Sequence, residues 1–223
     1  MLYLHYFSFS MLGLAIHTTS PQLGLMLQSV EGIDTAIWRH QIWDLGREVS
    51  SQLHVKMMRF ISPYTWRNLS FVAVAKGPGG FTGTRVGVVA ARTLAQQLEI
   101  PLFGVSTLAA LAMNATMDAT ISKDIAVMIP AKRGEVFGAI YRPDETGQLL
   151  SVLEESVLAE EKWIERLTLW ERPLVQIQTA AGEGIASSVR GVSAIAHRQY
   201  QAGLRPDWSS VMPFYGQHPV VNR

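Results

Sequence analysis

The sequence predicts an α/β fold built as two lobes, and three observations support this prediction. Short apolar runs bounded by turn residues alternate with amphipathic segments, which is typical of strands alternating with helices. The stretches AIHTTSPQLGLML, from Ala15, and MIPAKRGEVFGAI, from Met128, each predict a strand, a tight turn and a returning strand. Such a repeat indicates an ancient duplication, with chance as the alternative because hairpins are common. With 223 residues, 48% of them hydrophobic, the chain can bury a substantial core.

The first half of the chain supplies most of the regular elements. The segment DLGREVSSQLHVKMMRFI carries Leu45, Val49, Leu53, Met57 and Phe60 at helical spacing, which predicts a helix over 44–61. A second predicted helix ends before Pro101. In order, we expect strands at 12–17, 23–29 and 33–39, a helix at 44–61, a strand at 71–75, a helix at 84–99, a strand at 102–105 and a short helix at 107–115.

The second half repeats the alternation with weaker patterns. We expect strands at 125–129, 135–141 and 149–155, a helix near 159–169, a strand at 174–180 and a helix near 192–202. Met11 is a candidate translation start, so residues 1–10 are interpreted as a tail or a start-site artefact. The chain then divides into an N-terminal lobe at 11–106, which carries the partner-binding helices, and a second, reduced lobe at 107–223. The C-terminal tail is a candidate to pack back on the first lobe.

Composition excludes several classes of function. Charged residues make up 17% of the chain, the net charge is +1, and no block of like charge stands out, which disfavours autonomous nucleic-acid binding. Cysteine is absent, which excludes disulfides and thiolate metal sites and suits a cytoplasmic protein. The uncharged N-terminus lacks the basic region of a signal peptide, and its His, Ser and Thr residues disfavour a membrane span.

The most distinctive segment is KGPGGFTGTRVG, residues 76–87. A phosphate-binding P-loop requires G-x-x-x-x-G-K-[ST], but Gly79 and Gly83 are one residue too close and Thr84 replaces the lysine. The dinucleotide pattern G-x-G-x-x-G fails at its third position, which is Thr82. Two interpretations stay open. Either Thr82 or Thr84 caps the following helix, or the bare N–H groups at the helix start hold a phosphate; the residues for such a contact are Gly77, Gly79, Gly80 and Thr82.

The predicted helix at 84–99 presents two faces. One mostly apolar stripe, expected to face the sheet, contains Val86, Val89, Ala90, Thr93, Leu94 and Gln97. Glycine inside a helix costs about 1 kcal/mol relative to alanine, so glycines on one face indicate close approach of another backbone. That approach is either by helix 44–61 of the same chain or by another subunit. The residues assigned to a partner interface are Leu53, Met57, Gly83, Gly87 and Ala91.

Four segments carry a resemblance to a known family. GPGGFTGTRVGVVAARTLAQQLEIPLFGVSTLAAL resembles the signature of the TsaB (YeaZ) family, and LGLAIHTTSPQLGLML is similar to its opening hairpin. IPAKRGEVFGAIY resembles its second-lobe hairpin, and PFYG resembles its Pro-x-Tyr tail. The resemblance covers residues 12–216 and implies a two-lobed fold of the actin, sugar-kinase and heat-shock ATPase class.

The resemblance also implies a role. Proteins of this family pair with the related TsaD, which carries the catalytic metal and transfers a threonylcarbamoyl group to the adenosine beside the anticodon of tRNA. An ATPase, TsaE, joins the pair. We therefore expect a non-catalytic subunit that binds a TsaD-like protein and a TsaE-like ATPase, that contacts tRNA only indirectly through the complex, and that is a possible homodimer.

Departures from the catalytic pattern agree with this expectation. Thr107 and Leu111 stand where the catalytic relative has two metal-binding histidines. His17 and Pro130 stand at the two hairpins where the fold class usually has aspartates that orient magnesium or water. We predict no catalytic residues, no metal and no required cofactor, with weak or lost nucleotide binding possible. The alternatives are an active nucleotide-dependent kinase or ATPase of the same fold, and a homodimeric binding module.

Overall fold

Two mixed β-sheets organise the fold of the computed structural model, which describes residues 11–30, 37–119, 121–179 and 184–214. The first sheet has five strands in the order β3-β2-β1-β4-β5. Strands β1, β2 and β3 are antiparallel neighbours, whereas β4 and β5 continue parallel to β1. Their bounds are β1 Leu12–His17, β2 Gln22–Ser29, β3 Trp38–Asp44, β4 Leu69–Ala75 and β5 Leu102–Val105.

The second sheet repeats the order of the first with one strand fewer. Its order is β8-β7-β6-β9, with an antiparallel hairpin followed by a strand parallel to β6. The bounds are β6 Asp124–Pro130, β7 Glu135–Pro143, β8 Leu149–Ala159 and β9 Leu174–Gln178. The predicted two-lobed α/β fold, with its duplicated hairpins and reduced second lobe, is confirmed.

Five α-helices in the described part of the chain cover the two sheets. They are α1 Val49–Ile61, α2 Phe81–Leu98, α3 Thr107–Asp118, α4 Glu160–Thr168 and α5 Val189–Gln201. None of these helices combines the length and the apolar character needed to cross a bilayer.

Alternate residues of the first sheet face two helical layers. Leu14 and Ile16 of β1 pack in a cluster with residues of α1 and α2, while Ala15 between them packs in a cluster with Ala110 of α3 and Val192 of α5. The fifth helix therefore returns to the first sheet late in the sequence. A boundary between residues 106 and 107 places each sheet in its own lobe. Helix α5, however, follows the second sheet in sequence and packs on the first.

Helix α3 lies between the sheets, and α5 crosses it at close range. A Cβ atom on Gly191 would lie 2.1 Å from the carbonyl oxygen of Ala110, so only glycine fits at this crossing. On its other side α3 packs Leu108 and Leu111 against the second sheet. Trp163 of α4 covers the opposite face of that sheet, where a Cβ on Gly138 would lie 2.7 Å from the indole ring.

A buried carboxylate fixes the start of the second sheet. Asp124 is 1% exposed and accepts two hydrogen bonds from Arg142, at 2.7 and 2.9 Å. The indole Nε1 of Trp170 donates to the same carboxylate at 3.1 Å, and Arg172 lies 3.4 Å away. The hydrogen bonds from Arg142 are the largest influence holding the pKa of Asp124 below its usual value.

Most predicted elements match within a few residues, but β3 does not. It spans Trp38–Asp44, where the sequence predicted 33–39, of which residues 33–36 lie outside the described part of the chain. Strand β3 is an edge strand whose register pairs Trp43 with Leu23, and its outward side chains blur the apolar pattern. Predicted helix 44–61 begins as an α-helix only at Val49, after a short turn of 3₁₀-helix at Gly46–Glu48.

Candidate functional site at the first hairpin and the glycine loop

Four consecutive polar residues, from the end of β1 into the turn before β2, are buried. His17, Thr18, Thr19 and Ser20 are between 0 and 5% exposed. The glycine loop, residues 76–80, follows β4, which pairs beside β1, and therefore reaches the same end of the sheet. Burying polar groups is costly unless they form hydrogen bonds, so this contact must be well satisfied.

Glycines form a cradle that the hairpin turn fills. A Cβ on Gly79 would lie 2.3 Å from the carbonyl oxygen of Thr19, and one on Gly83 would lie 2.1 Å from that of Thr18. At Gly87 a Cβ would lie 2.0 Å from the hydroxyl oxygen of Thr18. Real Cβ atoms essentially never come this close to another atom. The absence of side chains at these positions therefore admits the chain's own hairpin.

Hydrogen bonds join the two parts of this contact. The amide of Gly80 donates to the Thr19 carbonyl at 2.7 Å, and the Thr18 hydroxyl donates to the Gly83 carbonyl at 2.8 Å. At the start of α3, the Thr107 hydroxyl donates to the Thr19 hydroxyl at 3.3 Å, and the Thr107 amide donates to the Gly77 carbonyl at 2.8 Å. The hairpin, the loop and α3 thus form one bonded unit.

The C-terminal tail closes the loop from the other side. Gly77 has φ +108°, and a Cβ there would lie 2.2 Å from the carbonyl oxygen of Phe214. The Phe214 amide donates to the Lys76 carbonyl at 2.7 Å. Described residues up to Phe214 therefore contact the first lobe.

The predicted helix cap at Thr82 or Thr84 is wrong. Helix α2 begins at Phe81, and the residue before it, Gly80, has no side chain with which to cap it. Because the helix starts three residues earlier than predicted, the Thr84 hydroxyl bonds back to the Gly80 carbonyl at 2.8 Å, as threonines inside helices do. Thr82 is exposed in the first turn. Phosphate binding by Gly77, Gly79, Gly80 and Thr82 stays a prediction, with the space beside Gly79 held by Thr19.

Four of the five residues predicted for a partner interface are buried inside this chain, which contradicts that assignment for them. Leu53 and Ala91 are 0% exposed and Met57 is 4% exposed, all within the cluster under the first sheet. Gly87 is buried, and the partly exposed Gly83 faces Thr18. The close approach that the glycines indicated is real, but the approaching backbone is the first hairpin rather than helix 44–61 or a second subunit.

The outward face of α1 and α2 lies elsewhere. Val55 and Met58 of α1 are 40% and 65% exposed, and Val89 of α2 is 54% exposed. The sequence predicted that Val89, Thr93 and Gln97 face the sheet, but all three are exposed. Small side chains bring a helix nearest to its support, so the glycine and alanine stripe packs inward and the bulkier Val89 points outward.

This outward face is also cationic. Residues 49–98 contain no Asp or Glu, and the two helices within this stretch carry four cations: Lys56, Arg59, Arg85 and Arg92. This local imbalance is hidden in a net charge of +1 for the whole chain. Counting charge by segment rather than over the whole chain is the signal that identifies it.

His17 is a neutral, buried side chain. Burial lowers its pKa to about 3. The Ser188 hydroxyl donates to the Ile185 carbonyl at 2.7 Å, so the 3.2 Å contact between Ser188 and His17 assigns the proton to Nε2 of the imidazole. Nδ1 then has no hydrogen-bond partner among the described residues. In the described part of the chain the ring contacts a hydroxyl and no carboxylate, whereas a histidine acting as a catalytic base is typically oriented by a carboxylate.

The positions that hold metal in the catalytic relative are occupied by core residues. Thr107 is 0% exposed and bonded to the hairpin, and Leu111 is 8% exposed in the cluster beneath the second sheet. Within residues 11–30, 37–119, 121–179 and 184–214, no three His, Asp or Glu side chains group as metal ligands would.

The family model for TsaD, tRNA N6-adenosine threonylcarbamoyltransferase, matches residues 61–197. The tRNA threonylcarbamoyladenosine biosynthesis protein TsaB of Bacillus subtilis is 33% identical over 154 residues, 68% of this chain and 64% of that protein. TsaB of Escherichia coli is 38% identical over 100 residues, 45% of this chain and 43% of that protein. The chain thus spans less than two thirds of either relative.

Solved structures show the same architecture over nearly the whole chain. YeaZ from Pseudomonas aeruginosa superposes with a TM-score of 0.69 at 20% identity, covering 92% of this chain and 99% of that one. A Pseudomonas aeruginosa protein with similarity to the peptidase YEAZ superposes with a TM-score of 0.73 at 19% identity, covering 93% and 100%. The family model over residues 61–197, the sequence matches to TsaB and the glycine loop together place this chain in the TsaB (YeaZ) family.

Proposed function

We propose that this chain is a non-catalytic scaffold that binds a TsaD-like partner and supports threonylcarbamoyl transfer to the adenosine beside the anticodon of tRNA. The observation that carries the proposal is the filled cradle. Thr18 and Thr19 occupy the space that the glycines leave open, and the chain's own hydrogen bonds satisfy the turn. The names of the curated TsaB relatives support the pathway, and the TsaD family model supports a relationship of this chain to TsaD.

The partner surface in this proposal is the outward face of α1 and α2. Val55, Met58 and Val89 supply exposed apolar area on two neighbouring helices. Exposed apolar side chains grouped on one surface are typical of a protein interface. The cations of residues 49–98 lack any acidic neighbour in that stretch, so a complementary partner surface is apolar with acidic residues at its rim.

Coexpression with the TsaD-like protein of the same organism, followed by sizing, tests this interface. We expect Val89→Asp to abolish the heterodimer, because a carboxylate would be desolvated at the centre of an apolar contact. The matched control is Ile164→Asp on α4, which is 57% exposed and lies on the second lobe. A heterodimer that tolerates Val89→Asp as well as it tolerates Ile164→Asp would refute the interface.

The remaining assembly is proposed on the family resemblance. A TsaE-like ATPase joins the pair, tRNA is contacted through the complex, and the chain requires no cofactor of its own. Mixing the purified chain with tRNA, with and without the TsaD-like partner, tests the second point by gel shift. Retention of tRNA by the chain alone, as tightly as by the complex, would contradict it.

One observation favours a second candidate, a residual nucleotide site. Helix α2 starts at the surface without a side-chain cap, and Gly80 and Thr82 are exposed there. Such a helix start attracts anions. Calorimetry with ATP and magnesium decides between the candidates, because binding and turnover by the isolated chain would indicate a nucleotide-dependent enzyme. Sizing of the chain alone tests a third candidate, in which the same helical face pairs with a second copy of the chain.

A further inference from the structure

A groove of about 580 Å³ lies beside β5, the edge strand of the first sheet opposite β3. Its floor is the edge of β5, and its walls come from the end of α5 and from the segment that follows. Among the residues that line it are Lys76, Phe103, Gly104, Leu204, Arg205 and Met212. The volume falls in the range typical of small-molecule sites.

The tail preforms the groove by bonding to the sheet at both ends. The Leu102 amide donates to the Pro206 carbonyl at 3.2 Å, and the Phe214 amide donates to the Lys76 carbonyl at 2.7 Å. Between these contacts the side chain of Val211 covers Gly104, where a Cβ would lie 2.8 Å from it. A groove closed at both ends suits a small molecule better than an extended polypeptide passing through.

Backbone polar groups face this groove. The Val72 amide donates to the Pro101 carbonyl and the Lys76 amide donates to the Val105 carbonyl, so alternate residues of β5 bond to β4. In a parallel ladder, the residues that alternate with these point their N–H and C=O groups away from the neighbouring strand. Gly104 therefore directs both groups away from β4, and no described strand pairs with that edge.

The charged groups of the groove are both positive. Among the residues that the structure describes, Lys76 and Arg205 line it together, and no Asp or Glu does. The Arg205 guanidinium lies 3.6 Å from the centre of the Tyr200 ring and donates from Nη1 to the carbonyls of Tyr200 and Leu204. These contacts fix its position and leave its other N–H donors for a ligand. The nearby Asp207 carboxylate is instead bonded to Ser209.

We propose that this groove binds a phosphate or carboxylate carried on a flat apolar body. Lys76, Arg205 and the Gly104 amide supply donors for the anion, while the exposed side chains of Leu204 and Met212 supply the apolar walls. Two cations beside exposed apolar side chains favour an anion that also has hydrophobic surface to bury. The site is separate from the outward face of α1 and α2 and does not depend on the proposed scaffold role.

Fluorescence titration of the full chain with anilinonaphthalene sulfonate tests the site, since this dye is an anion on a flat apolar body. We expect a single dye to bind and the double variant Lys76→Gln, Arg205→Gln to weaken it by about tenfold or more. The control, Lys132→Gln with Arg166→Gln, removes the same charge from exposed positions outside the groove and should leave binding unchanged. The neutral dye N-phenylnaphthylamine should not respond to either pair of substitutions.

Competition identifies the head group. Displacement by adenosine monophosphate alone indicates a phosphate, and displacement by indole acetate alone indicates a carboxylate; either result supports the site. The proposal is overturned if both double variants bind the dye equally, or if neither competitor displaces it. Heterodimer formation measured on the same variants should be unaffected, so failure of this proposal is distinguishable from failure of the scaffold proposal.

Discussion

The hydroxyl oxygen of Thr18 lies 2.0 Å from the position that a Cβ atom on Gly87 would occupy. This one relationship explains why a glycine stands in the middle of α2. It also explains what the glycine loop holds, because Gly79 and Gly83 approach the same hairpin turn at similar range. The loop resembles a phosphate cradle in composition, and in this chain the space inside it belongs to Thr18 and Thr19.

The first prediction is that Gly87→Ala destabilises the chain. Alanine at an open helix position would stabilise it by about 1 kcal/mol relative to glycine, but here the new methyl group meets Thr18. We expect a net loss of about 1–3 kcal/mol in the free energy of unfolding, as for overpacking. Urea denaturation measures it, with Thr93→Ala on the exposed face of α2 as the control.

A double-mutant cycle makes that prediction specific. Thr18→Ala removes the hydroxyl and leaves a Cβ 3.3 Å from the position of a Cβ on residue 87, a distance that small shifts can relieve. The pair should therefore be less destabilised than the sum of the single changes. Strict additivity would mean that Gly87 is required for another reason.

The second prediction concerns pH and His17. The pKa of His17 is about 3 in the folded chain, below the ordinary value of 6.5. Between these two pH values the unfolded chain therefore binds more protons than the folded chain. Stability from this neutral imidazole is fully present above pH 6.5 and is lost as the pH falls toward 3. At pH 5 the loss is about 2 kcal/mol, from 1.5 units at 1.36 kcal/mol each.

Denaturation of the wild type and of His17→Gln at pH 7.5 and pH 5 measures this effect. The variant has no imidazole to titrate, so its stability should change less between the two conditions. His54 is exposed on α1, so His54→Gln provides the matched control and should keep the wild-type pH dependence. An equal loss in all three proteins would exclude His17 as the source.

The third prediction concerns the ion pair between the buried Asp124 and Arg142. Asp124→Asn leaves Arg142 without its charged partner and should cost about 2–3 kcal/mol, near the lower end for breaking a buried pair because Arg142 is 35% exposed. Asp118→Asn breaks the exposed pair with Arg190 and should change stability by less than about 0.5 kcal/mol. Thermal unfolding of both variants compares them, and equal shifts would contradict the assignment.

Much of the fold was predictable because local pattern and tertiary structure agree. The hairpin at 12–29, the bounds of β5 and the end of α2 follow from apolar runs, glycines and prolines that act locally. Strand β3 was misplaced because an edge strand exposes one face and part of its edge, so its apolar signal is weak.

The candidate site was predictable in part only. The sequence identifies Gly83 and Gly87 as positions of close approach, but it does not reveal which backbone approaches them. That depends on β1 lying beside β4, a long-range pairing that periodicity does not encode. For the same reason Val89 was predicted to face the sheet, and Leu53 and Met57 were predicted to face a partner. The hairpin on which α1 and α2 pack decides which side of each helix points inward.

We propose that this chain acts as a scaffold and contributes no catalytic group. The most direct test of this proposal is a reconstituted reaction with the TsaD-like and TsaE-like proteins, tRNA and a threonylcarbamoyl donor, with the modified adenosine quantified by mass spectrometry of digested tRNA. We predict that product forms only when this chain is present. Thr82→Ala, in the first turn of α2, should leave product formation undiminished, and Val89→Asp, on the outward face of α1 and α2, should abolish it. Product formed without the chain, or lost with Thr82→Ala and retained with Val89→Asp, would contradict the account.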